Sequence, residues 1–73
     1  MEIKDKLLEA LRKKYEADVS VAKATIDIYL VKSVGIGEHP QFAKEIDKQL
    51  EIIGCASDKL KVIEKYFDEE IPF

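Results

Sequence analysis

Tryptophan is missing from this chain, cysteine and histidine occur once each, and only two prolines and three glycines punctuate its 73 residues. Each scarcity removes a class of explanation. A single thiol, Cys55, excludes an internal disulfide and any cysteine-based metal cluster, and fits a reducing compartment. One histidine, His39, does not make a zinc set with Glu38 and Glu45, because such sites want at least three protein ligands at constrained spacing. Ser20, Ser33 and Ser57 have no paired base in the sequence, so no nucleophilic constellation is visible. No apolar run approaches the roughly 20 residues that span a bilayer, and charges are spread through the first turns where a secretory leader would be apolar. These absences predict a cytoplasmic, non-membrane, non-enzymatic protein without metal or cofactor.

What remains is a helix-rich composition, 47% apolar and 37% charged, which is too apolar for a disordered chain. A chain this short buries only about 60% of its unfolded surface, so a single core leaves a margin of roughly 3–5 kcal/mol. A further partner surface would add to that. The formal charge is −3, and Asp68, Glu69 and Glu70 account for all of it. The body is balanced and its tip acidic. Such a body has no broad positive field for neutralising phosphates.

The stretch SVGIGEHPQ, residues 33–41, is where local sequence turns against a helix. Gly35 and Gly37 both tolerate the left-handed conformation that closes a helix, and Pro40 supplies the fixed φ favoured at a first helical position. His39, held out of the α region by the following proline, falls at the helix cap. Before the turn, Leu8, Leu11, Tyr15, Val19, Ala22, Ile26, Tyr29 and Ser33 recur at steps of 3, 4, 4, 3, 4, 3 and 4, with Ile3 and Leu7 widening the stripe at its start. After it, Phe42, Ile46, Gln49, Ile53, Ala56, Leu60, Ile63 and Phe67 follow an unbroken alternation of 4 and 3. The spacing predicts an all-α, coiled-coil-like antiparallel hairpin with helices over about 2–33 and 40–67, a turn over 34–39 and an acidic apolar tail over 68–73. The β-branched cluster after Asp18 leaves open a break near 18–20 and hence three helices.

Leftover apolar positions, Val21, Ile28 and Val31 on the first helix with Ile52, Cys55, Val62 and Tyr66 on the second, form a side stripe. They either widen the hairpin core or offer a second surface. In the second case, another copy would complete a four-helix bundle, or a different protein would dock. Cys55, within a helix and with no histidine nearby, reads as a small buried or half-buried side chain and not a nucleophile. Arg12, Lys13 and Lys14, with Tyr15 as a stacking neighbour, are either a solvated face among acids or a weak phosphate-contacting edge.

The chain ends Asp68-Glu69-Glu70-Ile71-Pro72-Phe73, which resembles the acidic Ile-Pro-Phe tip of bacterial single-stranded-DNA-binding proteins, with Glu at two places where Asp is usual. The resemblance implies that Ile71, Pro72 and Phe73 enter a partner's pocket while the acids steer toward a basic rim. The alternative is that Ile71 and Phe73 fold back on the open end of the hairpin near Ile3 and Leu7. The stretch from Tyr29 to Leu60, with its VGIGEHP turn, resembles small proteins of T-even-like myophages associated with the recombination helicase UvsW. That resemblance implies an accessory of DNA recombination, repair or recombination-dependent replication in the infected host. Its partners would be that helicase or other repair and replication proteins, met first through residues 68–73 and then through Gly35, Gly37, His39 and Pro40.

Overall fold

The computed structural model describes residues 3–36 and 40–67; residues 1–2, 37–39 and 68–73 lie outside the described part. All described residues are helical, in α1 (Ile3–Ile36) and α2 (Pro40–Phe67). At about 1.5 Å per residue α1 runs some 51 Å, which matches the 53 × 18 × 16 Å extents of the molecule. The helices are antiparallel neighbours. The Tyr29 and Phe42 rings meet near one end, and Lys59 reaches the Tyr15 ring farther along. The all-α hairpin expected from the 3-4 spacing is the fold.

α1 is continuous through residues 18–20, so the three-helix alternative does not apply. Packing holds this β-branched half. Val19 is half-buried and Ala22, only 1% exposed, lies in the seam, so packing offsets weak propensity. Thr25 spends its hydroxyl on the helix itself, donating from Oγ1 to the Val21 carbonyl at 2.8 Å.

The helix also runs on to Ile36, past its expected end at Ser33 and through Gly35. Gly35 therefore does not close it. Glycine permits a left-handed residue without demanding one, and its cost inside a helix, about 1 kcal/mol, is small enough for three more residues to join. Pro40 opens α2 as expected for a first helical position. The capping role read for His39, and the turn role of Gly37, fall outside the described residues.

The interior is one seam thick. Among the described residues the buried ones are Ala22, Ala56 (4% exposed) and Ile63 (6%), and no large side chain is fully buried. Around them Leu8, Tyr15, Val19, Ile26 and Tyr29 of α1 meet Phe42, Ile46, Gln49, Ile53 and Leu60 of α2, all half-buried. This is the predicted pair of stripes. Leu11 and Phe67 belong to them by spacing but remain exposed, as do Ile3 (77%) and Leu7, which do not widen the core.

Candidate functional site

The side-stripe residues Val21, Ile28, Val31, Ile52, Cys55, Val62 and Tyr66 are all exposed. They do not widen the core, and Cys55 is not the half-buried side chain its helical setting suggested. The reason is geometric. In α1 they sit well over 90° around the helix from the seam, beyond the reach of a single neighbouring helix.

Taken with their neighbours they form a second seam. On α1, Ile3, Leu7, Ala10, Lys14, Ala17, Val21, Ala24, Ile28 and Val31 follow one another at alternating steps of 4 and 3, every one exposed. On α2, Lys48, Ile52, Cys55, Lys59, Val62 and Tyr66 do the same. Ala10, Ala17 and Ala24 were missed by reading only bulky residues as interface. The signal was present, since alanine at every seventh position gives a close-packing helix surface.

Both second seams open on the same side of the hairpin. Lys14 belongs to the first and Lys59 to the second, and their ammonium groups lie over one Tyr15 ring, 5.4 Å and 5.1 Å from its centroid. The opposite side has a different character. There Arg12, Glu16, Leu60 and Glu64 line a depression of about 230 Å³ between the helices. It is below the roughly 300–1,000 Å³ of small-molecule sites, and its walls are mainly charged. One face is thus apolar with scattered lysines, and the other carries both signs of charge. Leu30 and Leu50, also exposed, lie on the charged side by helical rotation.

The basic run is dispersed. Consecutive residues are turned by about 100°, so Arg12, Lys13 and Lys14 leave the helix in three directions. Each has an acidic neighbour: Arg12 Nη1 donates to Glu9 Oε1 at 3.0 Å, Lys13 lies 3.8 Å from Glu9, and Lys14 Nζ donates to Asp18 Oδ2 at 3.1 Å. Tyr15 is half-buried in the seam beneath two lysines, not displayed for base stacking. The candidate phosphate-contacting residues are adjacent in sequence but do not gather into a patch.

Of the candidate partner-binding residues, Asp68, Glu69, Glu70, Ile71, Pro72, Phe73, Gly37 and His39 lie outside the described residues, while Gly35 and Pro40 are helical. Among the described residues no three His, Cys, Asp or Glu side chains gather as a metal site, and no helix is long and apolar enough to cross a membrane. Comparison with protein families, with characterised proteins and with solved structures finds no match.

Proposed function

We propose that this chain is a non-enzymatic accessory protein that works through protein–protein contacts. The observation that carries the proposal is the exposed second seam: nine α1 positions and six α2 positions in register on one face, apolar apart from Lys14, Lys48 and Lys59. A soluble monomer gains nothing by displaying such a continuous stripe, whereas a helical partner buries it. The setting in DNA recombination, repair or recombination-dependent replication, with a UvsW-type helicase as partner in the infected host cytoplasm, rests on the VGIGEHP resemblance. The single-strand-binding-like tip at residues 68–73 is consistent with it.

Titration of the fluorescently labelled chain with purified recombination helicase tests the proposal. Saturable binding that survives moderate salt supports it. Absence of helicase binding, together with DNA binding that falls steeply with salt and with Arg12→Gln, Lys13→Gln and Lys14→Gln, overturns it in favour of a direct nucleic-acid binder.

A further inference from the structure

We propose that the apolar face is covered by a second copy of this chain, packed face to face and reversed end for end, so that two hairpins form a four-helix bundle. The inference rests on the reading of this face as a docking surface and names its occupant.

Three features select a second copy. The first is area. Seen from this side the hairpin measures 53 by 18 Å, an outline of about 950 Å² that leaves room for the roughly 800 Å² per partner of a standard stable interface.

The second feature is size complementarity under a two-fold axis. A reversed copy sets α1 against α1. When the axis passes at the level of Val19, Ala10 faces the copy's Ile28, Ala17 faces Val21, Ala24 faces Lys14 and Leu7 faces Val31. Every alanine of the seam meets a longer side chain, and every pair recurs by symmetry. This small-to-large alternation is what lets two antiparallel helices approach closely. Val19 is also at the middle of α1, so the register that pairs the side chains is the one that overlaps the helices along their whole length.

The third feature is charge. Lys14 and Lys59 stand at one level, both over Tyr15. Copies packed in the same direction would bring α1 over the copy's α2 and crowd four ammonium groups together. Reversal moves each Lys14 to the level of the copy's Ala24 and each Lys59 to the level of the copy's Lys48, whose charge Glu45 offsets at 3.8 Å, so four ammonium groups at one level become two separated pairs. Like-charge crowding therefore selects the reversed bundle.

The test is sedimentation equilibrium of the whole chain from about 10 μM to 1 mM, with Val21→Glu and Leu30→Glu variants. Both sites are exposed in the hairpin, and a retained helical spectrum verifies folding. The expected result is a doubled mass for the native chain, at least a tenfold weaker association for Val21→Glu, and little change for Leu30→Glu on the charged side. A mass that stays monomeric throughout, or a dimer abolished by Leu30→Glu and not by Val21→Glu, overturns the proposal. Direction is read with a spin label on Lys6→Cys in a Cys55→Ala background. Reversal separates the two labels by about 40 Å, from some 26 residues of helix, whereas copies packed in the same direction hold them within about 20 Å; the short distance overturns the reversed bundle. A monomer that still binds the helicase removes the second copy and leaves the accessory reading standing. A dimer that ignores the helicase does the reverse.

Discussion

The Tyr29 and Phe42 rings pack with centroids 5.5 Å apart and planes inclined by 50°. They join the last third of α1 to the first turn of α2 and so fix the helical register at that end. A tilted aromatic pair of this kind is worth about 0.5–1.5 kcal/mol beyond the area it buries. Because Phe42 is only half-buried, Phe42→Ala is expected to cost about 2 kcal/mol, below the 3–5 typical of a fully buried ring. Thermal unfolding followed by circular dichroism checks this, at a concentration low enough to hold the chain monomeric.

Gly54 lies inside α2, and a methyl group built on it meets no atom within 4 Å. No close approach inside the hairpin requires glycine there. Gly54→Ala should therefore stabilise the fold by about 1 kcal/mol and raise the melting temperature by roughly 4–8 °C. An unchanged or lowered melting temperature would mean that something outside the hairpin needs the open space.

Two alanines separate the inner seam from the outer one. Ala22 is 1% exposed, so Ala22→Leu overpacks the seam and should cost about 1–3 kcal/mol. Ala24, on the outer face, is exposed; Ala24→Leu should leave the stability of the monomer within about 0.5 kcal/mol. Chemical denaturation of both variants side by side separates the two seams, and equal losses would contradict the assignment.

The ion pairs of the basic run join exposed or half-buried side chains three or four residues apart on one helix. Such pairs contribute about 0.3–0.5 kcal/mol each and are screened by salt. Replacing Arg12, Lys13 and Lys14 together by glutamine should cost about 1 kcal/mol at low salt and less at 1 M salt. Denaturant midpoints at the two salt concentrations are the measurement.

Most of the hairpin is legible in the sequence, because α2 repeats 4-3 spacing from Phe42 to Phe67 without interruption and α1 carries a nearly matching stripe. The end of α1 is less legible. Gly35 looks like a stop because it tolerates φ values that other residues avoid, yet tolerance is not a requirement and the helix passes through it. The candidate site was half legible. Val21, Ile28, Val31, Ile52, Val62 and Tyr66 stand out as leftover apolar residues, but their role becomes visible only when Ala10, Ala17 and Ala24 are counted with them. Which side of the hairpin each stripe faces depends on how the helices are rotated against each other, and the meeting of Lys14 and Lys59 over Tyr15 supplies that rotation. Arg12, Lys13 and Lys14 show the converse: adjacency in sequence suggests a patch that helical rotation disperses.

The central claim is that the face carrying Val21, Ile28, Ile52 and Val62 is covered by protein when the chain does its work. Methyl NMR with a soluble paramagnetic probe reads this directly, on the chain at millimolar concentration and again with the helicase added. The account predicts that these four methyl-bearing residues become shielded from the probe in at least one of the two conditions while Leu30 and Leu50, on the charged side, stay accessible. Equal accessibility of both sides under both conditions would contradict it.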